Sequence, residues 1–219
     1  MTASARREVR PHRAWYARAP DSSGGRRTLV SVGMAACGFS ALYLLSDAIE
    51  VAQGGFSTGQ LWLTLLAEAA IPVFVIGLAV AQRPHLDRIG WVSAWAYAYS
   101  FVFFAGTVVV ALGRDVATYG ELSEQLGLVM LAHGAVMVVA GVGLGAAVLR
   151  ARVLPAWTAW ALMSGVVLVA LTQGMPPAVG LLAAATRDAA FAGMGASLLL
   201  RARHLKRLEL AGSSRSDLP

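Results

Sequence analysis

The chain has 219 residues, of which 57% are hydrophobic and 14% charged, with a mean hydropathy of +0.63 and a formal net charge of +6. A soluble domain carries about 25% charge, so an ordinary soluble fold is excluded. The lone cysteine, Cys37, excludes an intrachain disulfide and any multi-cysteine metal site. The basic residues sit at the ends of apolar runs, which reads as membrane topology rather than nucleic-acid binding.

Residues 1–28 are polar and carry seven arginines, with Trp15 and Tyr16 among them. This segment reads either as a basic cytoplasmic tail that fixes orientation or as a strip on anionic lipid. Apolar runs long enough to cross a bilayer follow. The first spans about 29–48. Arg26-Arg27 before it and Met34-Ala35-Ala36-Cys37 within it faintly resemble an export signal with a lipoprotein cleavage box. The apolar run continues past Cys37, which a cleaved signal has no need to do. Further spans are expected over 61–81, 89–112, 126–149, 155–171 and 176–200, and a basic tail over 201–219. The expected fold is an all-α, polytopic membrane bundle of six transmembrane helices. One domain of residues 29–200 holds them, flanked by the two tails.

The two tails and alternate connections together collect sixteen of the eighteen Lys and Arg residues; Arg114 and Arg187 are the exceptions. By the positive-inside bias, both termini then face the cytoplasm in a multi-pass protein of the cell membrane. Short loops make consecutive helices antiparallel neighbours. No internal repeat is strong enough to indicate an inverted-repeat transporter.

The last apolar stretch contains two full charges, Arg187 and Asp188. Each costs roughly 2.5–3.5 kcal/mol at a helix centre on insertion-based scales, so both should face protein or water. They point about 100° apart and need not pair with each other. Glu68 and His133 lie roughly 10 Å below the outer ends of their helices, and Arg187-Asp188 roughly 15 Å below theirs. Asp47 and Glu50 close the outer end of the first span. The ionisable groups thus share the outer half of the membrane. Ser40, Tyr43, Asp47 and Glu50 form one stripe, as do Thr64 and Glu68, and Ser93, Tyr97, Ser100 and Thr107. Such stripes turn toward neighbouring helices, whether as a site or as hydroxyl contacts. Pro72 would leave the Glu68 carbonyl without its helical donor.

Acids outnumber bases in this group. An acid there either pairs with Arg187 or takes up a proton, or it binds a cation. The expected pocket is lined by Tyr43, Asp47, Glu50, Glu68, Tyr97, His133, Arg187 and Asp188, and opens to the outer face. It would bind or pass a small polar, cationic or proton-linked solute. A second reading is an enzyme acting on a lipid or isoprenoid, with Glu68 or Asp188 as general acid/base. It resembles small polytopic terpene cyclases in size and intramembrane acids, without their motifs. Its pocket would open to lipid beside Tyr97, Tyr99, Phe101, Phe103 and Phe104. A third is an assembly or sensor subunit whose charges face outward to a partner helix.

His133, with Met130 and Met137 on its face, reads as packing rather than a metal ligand, and no metal or other cofactor is expected. Gly141 and Gly145 permit close helix contact, within the bundle or in a homo-oligomer. Trp157 and Trp160 read as interface anchors. The expected partners are the bilayer and a small-molecule or lipid ligand, with no nucleic acid.

Overall fold

A computed structural model describes residues 23–216, with side chains described through residue 210; the arginines and aromatics of residues 6–18 lie outside this range. Seven helices are present among the described residues: α1 (Ser23–Gln53), α2 (Thr58–Ala81), α3 (Arg88–Arg114), α4 (Tyr119–Leu126), α5 (Leu128–Ala151), α6 (Ala156–Leu171) and α7 (Pro177–Ser216). Four of them, α1, α2, α3 and α5, are long and apolar enough to cross a membrane; α6 is apolar but shorter. This all-α arrangement suggests a multi-pass membrane protein.

Local chemistry explains the boundaries. Ser57 caps α2, its Oγ accepting from the Gln60 N–H at 3.4 Å. Asp87 caps α3, its carboxylate accepting from the Gly90 N–H at 2.7 Å. Asp115 ends α3 in the left-handed region at φ 50°. Thr118 caps α4 by accepting from the Glu121 N–H, and Glu121 accepts in turn from the Ala117 N–H at 3.1 Å. This is close to a capping box. Gly127, at φ 51°, separates α4 from α5. A positive φ costs glycine nothing, so the chain turns sharply there.

The helix bounds differ from expectation at several ends; α1 runs on to Gln53, past the expected 48, and α2 begins at Thr58, before the expected 61. The fourth apolar run begins at Leu128 instead of 126 because α4 folds as a separate polar turn. α1 starts at Ser23, inside the expected N-terminal tail. α7 runs unbroken to Ser216, 40 residues or about 60 Å, so the expected 201–219 tail is largely helix. Arg26 of α1 lies 3.8 Å from Glu209 of α7, so these two extensions stay together.

Six helices form a closed ring. Each of α1, α2, α3, α5, α6 and α7 packs on the next, and α7 returns to α1. Gly33 and Gly195 make that last closure possible: a Cβ on either would come within 2.8 Å of the other's carbonyl oxygen. Gly141 and Gly145 admit α6 side chains in the same way, so their spacing serves packing inside the ring. The interior is apolar, with Phe74, Tyr97, Phe101, Phe191, Met194 and Leu198 almost fully buried. The outside is apolar too: Val73, Leu128, Leu131, Val139 and Leu182 are each about 70% exposed or more. An apolar exterior of this extent fits lipid better than water.

Candidate functional site: an acidic recess at one end of the ring

A cavity of about 670 Å³ enters the ring from one end. Residues of the α1–α2, α3–α4 and α6–α7 connections line its mouth, among them Gly55, Phe56, Thr118, Gly174 and Met175. Those three connections therefore share one end of the bundle, as alternating helix directions require. Tyr119, Leu122 and Glu124 of α4 also reach the cavity, so the short helix borders the opening. The Tyr119 phenol is raised above its ordinary pKa, first by desolvation and then by the nearby Glu68 and Glu50 charges.

One wall is polar and is built from two facing helix stripes. On α1 it presents Tyr43, Asp47 and Glu50; on α2, Gln60, Thr64 and Glu68. At the deep end, Tyr43 Oη donates to Glu68 Oε1 at 2.7 Å. Higher up, Gln60 Nε2 donates to Thr64 Oγ1 at 2.9 Å, to Ser46 Oγ at 3.2 Å and to Glu50 Oε2 at 3.4 Å. Ser46 and Thr64 share a further hydrogen bond. The opposite wall is mostly apolar, with Phe101, Phe104, Val108, Leu181 and Ala184.

Arg187 lies at the deep end. Its Nε donates to Asp188 Oδ1 at 3.0 Å, and both residues are buried. The expectation that these neighbours need not pair is corrected. Their Cα–Cβ bonds diverge, but the long Arg187 side chain reaches back to the neighbouring carboxylate. The guanidinium also stacks 4.7 Å from the Tyr43 ring and 5.7 Å from that of Phe101, a cation–π arrangement. Gly165 lets α6 approach here, since a Cβ at that position would meet the Arg187 backbone at 2.6 Å.

Buried polar atoms normally find partners. Several here do not: Glu68 Oε2, Gln60 Oε1, Arg187 Nη2, Asp188 Oδ2 and Tyr97 Oη. Glu68, Gln60 and Arg187 are also cavity-lining residues. Four carboxylates line the recess, from Asp47, Glu50, Glu68 and Glu124, against the single Arg187 guanidinium. That guanidinium is already bonded to Asp188.

The structure thus brings Tyr43, Asp47, Glu50, Glu68 and Arg187 to one cavity. Asp188 stands behind Arg187. Tyr97 is buried in the core beneath, against Phe101 and Phe191. His133 does not join them. It lies on the outer surface between α3 and α5, stacked on Phe103 at 3.6 Å. Its Nδ1–H donates to the Val129 carbonyl at 2.8 Å, which leaves Nε2 to accept from Tyr99 Oη at 3.1 Å. Its depth resembled that of Glu68, but depth does not fix the direction a side chain takes around the helix. Among the described residues, no group of three or more His, Cys, Asp or Glu side chains is placed to hold a metal ion.

No family model matches this chain, and no curated protein or solved structure is similar to it.

Sequence reasoning passed over Ser46, Gln60 and α4. Gln60 extends the Thr64–Glu68 stripe by one more turn, so the i, i+4 spacing already pointed to it. The segment Thr118-Tyr119-Gly120-Glu121 carries a helix-start signature that announces α4. Ser46 lies three residues after Tyr43 and four before Glu50, so the same spacing pointed to it as well.

Proposed function

We propose that this protein binds a small cationic solute in an acid-lined recess that opens on the outer face of the cell membrane. All six ring helices then span the bilayer with both termini in the cytoplasm. The positive-inside bias supports that orientation, since the recess opens at the end poor in Lys and Arg. One observation carries the binding reading: the cavity's acidic side chains outnumber its one guanidinium, and one of them, Glu68, has a buried oxygen without a partner. An uncompensated buried acceptor is costly, and a cation donating to Glu68 would relieve it.

The interior below Glu68 and Arg187 is filled by Phe74, Tyr97, Phe191 and Met194, so the recess ends blindly. This favours binding, or one closed state of a passage. The lipid-enzyme reading called for an aromatic wall open to lipid. Phe101 and Phe104 do line the cavity, but the opening lies among the loops. The partner-subunit reading called for outward charges, whereas Glu68, Arg187 and Asp188 are each about 5% exposed or less.

The test is thermal stability of the purified protein in neutral detergent. n-Butylammonium should raise the unfolding midpoint, n-butanol should not, and Glu68→Gln should remove the effect. Equal responses to the cation and the alcohol would overturn the reading. For orientation, single cysteines replace Gln125 and His85 in a Cys37→Ser background. An impermeant maleimide applied to intact cells should label only the cysteine at position 125.

A further inference from the structure

We infer that the solute is a linear diamine or polyamine, held by an amino group at each of two levels of the recess. This rests on the cation-binding reading and narrows it. The two levels are marked by two cavity-lining residues, Glu68 and Gln60, each of which carries a buried oxygen without a partner, Oε2 and Oε1 respectively. Glu68 is 5% exposed and Gln60 2%, so neither acceptor is served by bulk solvent. Both belong to α2, eight residues apart, which is about 12 Å along its axis.

Between them, Ser46 and Thr64 are occupied with each other and with Gln60. The middle of the α2 stripe therefore offers no vacant acceptor. Each end also has a carboxyl group, Glu68 itself at the deep level and Glu50 bonded to Gln60 at the mouth level, with Asp47 of α1 between them. Phe101, Phe104 and Val108 face this stripe across the cavity and offer methylene groups an apolar bed.

A ligand that answers all three features has N–H donors and positive charge at two separated points, with hydrocarbon between. A monoamine satisfies one level and leaves the other acceptor bare. A quaternary ammonium ion has no N–H, so it can neutralise charge but satisfies neither oxygen. A dipositive metal ion lacks the length to span both levels.

The experiment uses the full chain in neutral detergent at fixed ionic strength. Dissociation constants come from isothermal titration of spermidine, putrescine, n-butylammonium and tetraethylammonium. The expected order is spermidine tightest, then putrescine, then the monoamine, with tetraethylammonium weakest. Glu68→Gln should weaken spermidine by about tenfold or more, the loss of one charge-assisted hydrogen bond. Gln60→Met should weaken spermidine by a larger factor than n-butylammonium, bringing the two closer together. Because that variant also removes Nε2 contacts, Glu50→Gln serves as the isosteric second variant, with the same selective loss expected. If all amines bind alike whatever their length, or tetraethylammonium binds best, the two-level inference is overturned and a simple cation recess remains. If none of the four binds the wild-type protein, the cation-binding reading falls with it.

Discussion

Closure of the ring depends on two glycines, and their replacement gives a quantitative test. A Cβ at Gly33 would stand 2.8 Å from the Gly195 carbonyl oxygen, and a Cβ at Gly195 2.7 Å from that of Gly33. In both directions the obstacle is backbone, which cannot rotate away. Alanine at either position therefore forces α1 and α7 apart along their length. Overpacking of this kind costs about 1–3 kcal/mol. Against it stands the helix propensity that alanine gains over glycine, about 0.8–1.0 kcal/mol in water. Gly38 of α1 and Gly106 of α3 provide the baseline, because a Cβ on either meets nothing within 4 Å. Gly38→Ala and Gly106→Ala should be neutral or mildly stabilising. Gly33→Ala and Gly195→Ala should fall below them by about 1–3 kcal/mol. In a chain of this size each kcal/mol moves the unfolding midpoint by about 2–4 °C. The double variant should cost less than the sum of the singles, since one separation of the helices relieves both clashes. Thermal unfolding in detergent, followed by intrinsic fluorescence, reads all five variants. Gly33→Ala and Gly195→Ala as stable as Gly38→Ala would refute the close crossing.

Removing one member of a buried ion pair leaves the other charge stranded, at a cost of about 3–5 kcal/mol. Asp188→Ala should therefore lower the midpoint severely, and Arg187→Met with Asp188→Leu should lie closer to wild type than Asp188→Ala alone; thermal unfolding of both variants checks this. Tyr43→Phe removes the donor to Glu68 Oε1. It should destabilise the ligand-free protein by about 1–3 kcal/mol and enlarge the thermal shift produced by n-butylammonium. At the opposite end of the bundle, the Gly90 N–H and then Arg150 hold the Asp87 carboxyl below its ordinary value of 3.8. The stabilisation this gives is complete above that value and disappears as pH falls through the lowered one. The midpoint gap between wild type and Asp87→Ala should stay constant at neutral pH and close in strong acid.

The sequence made the helices legible because apolar length is a local property, set by twenty or so consecutive residues. The stripes on α1 and α2 were legible for a related reason: i, i+4 spacing fixes which side chains share a face. Tyr43, Asp47, Glu50 and Glu68 were found that way, and the structure lines one cavity with them. What spacing does not fix is the rotation of a helix about its own axis, which packing against neighbours decides. His133 shows the difference. It shares the depth of Glu68 but is turned outward, where Phe103 and Tyr99 of α3 receive it. The Arg187–Asp188 pair illustrates a second gap. Adjacent positions diverge at Cβ, yet the Arg187 side chain is long enough to bring its guanidinium back to the neighbouring carboxylate.

That pairing decides the character of the recess. Had Arg187 pointed freely into the cavity, it could have answered Glu68, and the deep end would be close to electrically balanced. Its Nε is instead donated to Asp188, and its guanidinium is held over the Tyr43 and Phe101 rings. The arginine's charge is thus shared with a carboxylate outside the cavity lining. Glu68, Asp47 and Glu50 face the opening with that charge already engaged. Interactions between charges strengthen as water is excluded, so the imbalance weighs most at the deep end, where Glu68 is buried. Under the proposed function, a cation entering there would meet the acid whose second oxygen is unpartnered, next to the aromatic rings that flank Arg187. On the proposed reading, the buried pair, by engaging the cavity's one fixed cation, leaves that acid available to a mobile one.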